Sequence, residues 1–208
     1  PAGSMRYGCR AAEILFRGAE AAGAVLEDGT ALPGDHVVLA VDEPALCRLL
    51  GKGEPRVALA TAVHYFRAGR AFHRGAWLCL PPRREDSPVL HAALVSNVAP
   101  TLAPEGAHLW SVTVTPDHPR AAEADFVARE VASWFAAEAA ELSPLAYVRV
   151  PYAVPAQPPG FAHRPAPWGE LPPGVVVAGD AASGASIEAA MASGEGAAKK
   201  VISSAPRN

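Results

Sequence analysis

The feature that most constrains the fold of this chain is a fully apolar run near its C-terminal end, followed at once by a glycine and an aspartate. Residues 174–178 (GVVVA) have no polar side chain, which is typical of a short strand buried inside an α/β sheet. Gly179 and Asp180 come next, then the small-residue loop Ala181–Ala185, and then a helix predicted from Ser186 to about Val201. A glycine lets a ligand approach the backbone, and the first amides of a helix lack partners within it. This order of elements predicts a site for a phosphate or a cofactor.

Asp180 has two interpretations that the residues alone leave open. A carboxylate at the end of a buried strand is costly unless it finds a hydrogen-bonding partner. Asp180 either caps the loop and helix that follow, or hydrogen-bonds the sugar or polyol of a cofactor and fixes the loop that meets its phosphates.

The first part of the chain predicts strands and one short helix. The apolar runs 13–17 (EILFR), 24–27 (AVLE) and 36–40 (HVVLA) are the strands, and the Asp-Gly pair at 28–29 indicates a tight turn. A helix over 44–50 begins with a proline, which is favoured at an early helical position.

The middle of the chain predicts an antiparallel sheet followed by a helix. Four apolar runs between residues 56 and 114 indicate about four strands: VALATAVHYF, GAWLCL, VLHAALVS and HLWSVTVT. Apolar residues near a 3.6-residue spacing predict an amphipathic helix over 119–142, which ends by Ser143-Pro144. A further strand is expected over 146–150.

A Pro-rich stretch, residues 151–173, separates this sheet from the C-terminal segment. Proline excludes a helix or a central strand there. The stretch is either a plain linker or a crossover that returns the chain to an earlier domain. Because buried strands lie at both ends of the chain, we expect 36–41 and 174–178 to form one parallel pair. The sequence thus predicts an α/β, mixed α+β fold of two interleaved units, 1–48 with 168–208, and 49–167.

Composition excludes several classes of protein. With 18 Lys and Arg against 21 Asp and Glu, the net charge of −3 gives no reason to expect a nucleic acid partner. Apolar stretches fall short of the roughly 20 residues that cross a bilayer. No secretion signal is visible at the start, and Cys9, Cys47 and Cys79 form no CxxC pair, so we expect a cytoplasmic protein. Peripheral association with a membrane is left open.

The common catalytic templates do not occur in the sequence. It has no GxSxG, HExxH, Gly-Lys-Ser/Thr or GxGxxG motif, so no catalytic residue is assigned. Seven scattered histidines, without an i, i+4 pair, predict no metal site. The pair Glu85-Asp86 is interpreted as a solvated loop, and the patch 64–66 (HYF) as core, with a role in lining a pocket left open.

The C-terminal motif resembles that of FAD-dependent oxidoreductases of the flavin amine oxidase and phytoene desaturase group. In that group a strand ends in A-G-D and a Ser-led helix carries A-x-x-S-G-x-x-A-A, as in GVVVAGDAASGASIEAAMASGEGAA here. AGAVLEDGTALPGDHVVLAVDEPALCRLL, VSNVAPTLAPEGAHLW and the opening PAGSM are similar to further segments of the group, in the same order. PAGSM corresponds to a segment from the middle of those proteins, and their N-terminal GxGxxG unit has no counterpart here.

The resemblance implies a cofactor and its contacts. Residues 1–48 and 168–208 would be the remaining part of a Rossmann-like FAD-binding domain, with 49–167 an inserted substrate domain. Gly179 and Asp180 would meet the ribityl–pyrophosphate region, and the backbone of Ser186, Ile187 and Glu188 would face the pyrimidine side of the flavin. A strand residue whose backbone contacts adenine would fall at Ala11.

Two functions from different classes remain open at this point. The first is the C-terminal part of an FAD-dependent oxidoreductase that passes a hydride from an apolar or amine substrate to flavin. The second is a non-catalytic α/β binding or interaction module that kept the fold without the cofactor. Under the first, the partners are a small, apolar substrate and the missing N-terminal half. The chain alone would lack FAD and would self-associate, as a homodimer or an aggregate.

Overall fold

The chain divides into two compact units. The computed structural model describes residues 3–82, 86–160 and 166–204. One unit comprises Pro1–Ala58 with Val154–Asn208, and the other Leu59–Ala153. The assignment of the first to cofactor binding and the second to substrate binding stays a prediction.

The first unit begins with a three-stranded antiparallel sheet in the order β1-β2-β3. Its strands are β1 (Ala11–Arg17), β2 (Glu20–Leu26) and β3 (Ala31–Pro33). The Asp-Gly turn forms as predicted between β2 and β3, and the Asp28 carboxylate accepts a hydrogen bond from the Thr30 amide at 2.9 Å. This bond lowers the pKa of Asp28. The sequence pattern gives no signal for β3, because a strand of three residues is too short to display alternation.

The two ends of the chain meet in a parallel pair of strands. In it β4 (Val37–Leu39) lies beside β10 (Val175–Val177), with Val38 opposite Val176. This confirms the predicted pairing. After β4 comes α1 (Glu43–Leu50), whose N-cap Asp42 accepts the Ala45 amide at 2.9 Å.

The first unit has two buried clusters. The larger joins α1 to the sheets and to the segment after β10, through residues such as Ile14, Leu39, Leu46, Leu49, Trp168, Val175 and Ala181. The segment after β10 contains α4 (Asp180–Ser183) and α5 (Ile187–Ser204). In the smaller cluster, Ala197 of α5 packs against Val176 and Ala178. Small side chains on α5 thus allow close packing on the parallel pair.

The second unit is built on a five-stranded sheet in the order β6-β7-β8-β5-β9. The strands are β5 (Ala58–Ala68), β6 (Leu78–Cys79), β7 (Val89–Leu94), β8 (His108–Val114) and β9 (Ser143–Pro155). All four predicted strands occur, but β6 has only two of the six residues predicted over 75–80. Residues 95 and 96 belong to the short helix α2 (Val95–Val98) rather than to β7. Strand β9 extends into the Pro-rich stretch. Prolines are tolerated in β9 because it lies at the edge of the sheet, where one side of the strand needs no hydrogen bonds to a neighbour.

The predicted helix over 119–142 is much shorter in the structure. Helix α3 spans Ala124–Ser133, and Ala136 has a φ of 49°, a left-handed conformation that ends the helical path. A 3₁₀ turn over Ala139–Glu141 follows, held by reciprocal side-chain bonds of Glu138 and Glu141. The alanines here favour helix by propensity, but burial of Leu142 and packing of the partly buried Phe135 against the core override this preference.

The patch 64–66 belongs to the core of the second unit. His64 is 1% exposed, and its Nε2 lies 2.7 Å from the Ala121 carbonyl oxygen. Phe66 is fully buried, and the Tyr147 ring lies tilted against that of His64 with centroids 4.6 Å apart. Glu85 of the predicted solvated loop lies outside the described residues, as does His163.

Candidate active site after strand β10

Gly179 has a backbone conformation that only glycine adopts readily. Its φ is 97° and its ψ is −171°. No atom lies within 4 Å of the position that a Cβ would occupy there, apart from the immediate chain neighbours. The chain therefore turns sharply after β10 and leaves open space beside the backbone at the end of the strand.

Two serines bond the Gly179 peptide groups, and neither is among the residues that the sequence predicts for the site. The Gly179 amide donates to Ser193 Oγ at 2.8 Å, and that hydroxyl lies 3.1 Å from the Gly179 carbonyl oxygen and 2.7 Å from that of Ala190. Ser183 Oγ lies 3.2 Å from the carbonyl oxygen of Gly179 and 2.7 Å from that of Ala189. In the sequence, Ser193 could be connected with Gly179 only through their spacing of fourteen residues. That spacing becomes informative only once α5 is known to lie along β10.

Asp180 is half-buried and makes a local hydrogen bond. Its Oδ1 accepts from the Ala181 amide at 2.8 Å, at the first turn of α4. The N-cap residue of α4 is Gly179, which has no side chain to cap with, so both interpretations of Asp180 stay open. The predicted loop 181–185 begins as this helical turn, because the Gly184 amide bonds back to the Asp180 carbonyl at 2.8 Å.

Ser186 caps helix α5. Its Oγ accepts the Ala189 amide at 3.1 Å, and its carbonyl accepts the Ala190 amide at 3.0 Å. Ile187 is 82% exposed and Glu188 is also exposed. The first turn of an 18-residue helix thus opens to solvent beside Gly179 and Asp180 in sequence and in space.

A pocket of about 270 Å³ lies at this position. Its lining residues are Val154, Asp180, Ala185, Ser186, Ile187 and Ala190. Three of the predicted site residues thus share one pocket. Its volume is below the roughly 300–1,000 Å³ of complete ligand sites. A role of these residues in cofactor binding stays a prediction.

Ala11 lies apart from this pocket lining. It is a half-buried residue of β1, and its carbonyl accepts a hydrogen bond from Arg48 at 3.3 Å. A backbone contact between Ala11 and adenine stays a prediction.

The described residues lack both a metal-binding cluster and a membrane-spanning helix. Among residues 3–82, 86–160 and 166–204, no group of three or more His, Cys, Asp or Glu side chains is placed to hold a metal ion. In the part of the chain that the structure describes, no helix has the length and apolar character to span a bilayer.

Solved structures with the same fold include two oxidoreductases. An oxidoreductase from Methanosarcina mazei superposes with a TM-score of 0.64 at 19% identity, over 94% of this chain and 49% of that one. Wild-type putrescine oxidase bound to putrescine superposes with a TM-score of 0.54 at 14% identity, over 94% of this chain and 48% of that one. The chain thus spans about half the length of these structures. Among curated proteins, none matches the sequence significantly.

A family model describes nearly the whole chain. The model of flavin-containing amine oxidoreductases matches residues 1–202. This agrees with the resemblance carried by the segment from Gly174 to Ala198, and with the fold of the solved structures. The chain therefore belongs to the flavin-containing amine oxidoreductase family.

Proposed function

We propose that this chain is the C-terminal part of an FAD-dependent oxidoreductase, whose substrate is a small apolar molecule or an amine. The observation that carries the proposal is the turn at Gly179, where open space at the Cβ position adjoins a carboxylate and the first turn of a long helix. When bound, FAD would accept a hydride and so oxidise the substrate by two electrons.

The residues of this turn fit a flavin cofactor. Gly179 leaves room beside the backbone, and Asp180 offers a carboxylate to a hydroxyl of the ribityl chain. Ser186 fixes the start of α5, whose positive end favours negative charge on an aromatic ring system placed before it. Ile187 and Ala190 supply apolar surface in the same pocket.

The upstream half is the second part of the proposal. The turn after β10 supplies a single helix start, and the pocket is small for a dinucleotide. A strand–GxGxxG–helix unit would supply the main pyrophosphate contacts. We therefore propose that the partner of this chain is an N-terminal half of the same protein, in the cytoplasm.

The test is to read the coding sequence upstream of Pro1 and to express the complete reading frame. We expect a GxGxxG unit upstream, and a purified protein that carries flavin absorbance which amines or apolar substrates bleach without oxygen. Asp180→Ala should weaken FAD binding by about 1.5–3 kcal/mol, the worth of a hydrogen bond to a charged group.

The matched control is Glu195→Gln on α5, a change of carboxylate in an exposed pair with Lys199. Its flavin content should equal that of the wild type. A colourless, folded protein from the complete reading frame would contradict the proposal and favour a non-catalytic binding module.

A further inference from the structure

A buried carboxylate and a guanidinium lie beneath the turn that follows β10. Glu43, at the start of α1, is 1% exposed, and its Oε1 accepts from Arg56 Nε at 2.6 Å. The Arg56 side chain is 19% exposed. Both residues belong to the first unit.

The same guanidinium reaches the turn itself. Nη2 of Arg56 donates to the carbonyl oxygen of Ala181 at 3.1 Å. Ala181 is 6% exposed and packs in the cluster that contains Leu46 and Leu49 of α1. Arg56 therefore joins α1 to α4 through two charge-assisted hydrogen bonds in a mostly buried place.

Ala181 is held at both of its peptide groups. Its amide donates to Asp180 Oδ1 at 2.8 Å, and its carbonyl accepts from Arg56. Arg56 thus helps to fix Ala181, whose amide is bonded to the Asp180 carboxylate. A planar guanidinium suits the task, since it can serve a carboxylate and a carbonyl at fixed angles, which an ammonium cannot.

Stability alone does not account for this arrangement. Burying an ion pair usually contributes no more to stability than well-packed apolar side chains of similar volume. The charge of Glu43 also acts on its neighbour: burial first, and then the Glu43 carboxylate, raise the pKa of the Cys47 thiol, which Arg56 partly opposes. A charged pair in this core is better explained by the geometry it imposes on the turn.

We infer that Arg56 and Glu43 are positioning residues for the cofactor, which hold the segment Gly179–Gly184 in the conformation that receives FAD. This inference rests on the proposed function. Neither residue touches the cofactor, and both act through the Ala181 peptide.

The experiment follows hydrogen exchange and FAD binding in the protein expressed from its complete reading frame. Arg56→Met removes the hydrogen bonds to Glu43 and to the Ala181 carbonyl, whereas Arg56→Lys keeps the charge. We expect amides of 178–186 to exchange about tenfold faster in the apo form of Arg56→Met, while those of β1 and β2 stay unchanged. The Kd for FAD should rise by about tenfold, and Arg56→Lys should recover only part of each loss.

A double variant separates positioning from stability. Glu43→Leu with Arg56→Met replaces the ion pair by apolar side chains, which should keep the thermal stability close to that of the wild type. The Ala181 carbonyl would still lack its donor, so fast exchange over 178–186 and weak FAD binding should persist. Arg120→Met, which removes an arginine from an exposed pair with Glu123, is the control and should change neither readout.

Three results would overturn the inference. They are unchanged exchange in Arg56→Met, an even rise of exchange over the whole first unit, and full recovery of slow exchange in the double variant. Failure of the proposed function would be distinguishable from these results. The wild-type protein would then fail to bind FAD, regardless of how fast the amides of 178–186 exchange.

Discussion

Gly179 carries the backbone conformation on which the candidate site depends. Its φ and ψ lie in a region that costs a residue with a Cβ about 1–3 kcal/mol. Ser193 bonds its amide, and open space lies where a side chain would project. One glycine thus supplies both the sharp turn and the room beside it.

Gly179→Ala should lower the free energy of unfolding by about 1–3 kcal/mol, because alanine is strained at this φ. The control is Gly194→Ala in the interior of α5, where no atom lies near the Cβ position. It should raise stability by about 0.5–1 kcal/mol. Urea unfolding measures both, and equal effects from the two substitutions would contradict the conformation given for Gly179.

Ser193→Ala should lower stability by about 1–2 kcal/mol, since the Gly179 amide loses its acceptor in a half-buried place. Ser203 lies on the same helix, is exposed and bonds only the carbonyl of Lys200 among the bonds described. Ser203→Ala should change stability by less than about 0.5 kcal/mol. Thermal unfolding of the two variants is the measurement, and a Ser203 effect as large as that of Ser193 would speak against this role.

His73 predicts a pH dependence of stability in the second unit. Burial lowers its pKa from 6.5, and the Gly75 backbone opposes this in part. The unfolded chain therefore takes up a proton that the folded chain binds less strongly, so stability falls as the pH drops below about 6.5. The loss continues until the pH reaches the folded pKa.

His73→Phe should reduce this loss, because phenylalanine keeps the stacking against Trp77 and Phe135 without titrating. The measurement is the free energy of unfolding at pH values from about 5 to 7.5. An unchanged slope in the variant would show that other groups carry the dependence.

At the scale of elements, helix α3 shows how tertiary contacts end a helix early. Its sequence continues as Ala136, Ala137, Glu138, Ala139 and Ala140, a composition that favours helix. The chain turns instead, and Glu141 bonds Arg70 of the neighbouring segment with an Nε to Oε2 distance of 2.5 Å. This bond lowers the pKa of Glu141.

Ala136→Gly should raise the free energy of unfolding by about 0.5–1 kcal/mol, because glycine relieves the left-handed conformation at this turn. The same substitution at Ala198, exposed in the interior of α5, should lower it by about 1 kcal/mol. Chemical denaturation compares the two variants. Destabilisation by both would mean that α3 continues through residue 136.

At the scale of the whole molecule, the first unit contains a parallel sheet of only two strands, with apolar side chains exposed on it and on the helix beside it. The parallel pair β4-β10 has two strands, whereas parallel sheets are usually covered on both faces. Val38 of β4 is 47% exposed, and Ile187, Met191 and Ile202 of α5 are each more than 70% exposed. This apolar surface agrees with the proposal that another half of the protein covers it.

The isolated 208-residue chain should therefore bind FAD poorly and self-associate. Titration of FAD, followed by flavin fluorescence, should show no saturable binding at micromolar concentrations. The binding free energy would then be weaker than about −8 kcal/mol, which corresponds to a Kd of about 1 μM. Light scattering should give a mass above that of the monomer. A monodisperse monomer that binds FAD tightly would contradict the proposal that this chain is half of a flavoprotein.

Local patterns in the sequence determined most of the elements and part of the site. Three signals each act over a few residues: the apolar run before Gly179, the Asp-Gly turn and the proline of α1. The structure they form can therefore be predicted from neighbouring residues alone. The same holds for Ser186 as a helix cap. The family motif added the cofactor, which no periodicity could have supplied.

Only the tertiary structure decided which distant residues hold the turn after β10. Arg56 and Ala181 are 125 positions apart, and Glu43 gives no sign in the sequence that it is buried. The end of α3 was likewise set by packing of Phe135 and by Arg70. Such contacts depend on where whole elements lie, and local propensities of a few tenths of a kcal/mol yield to the burial of large side chains.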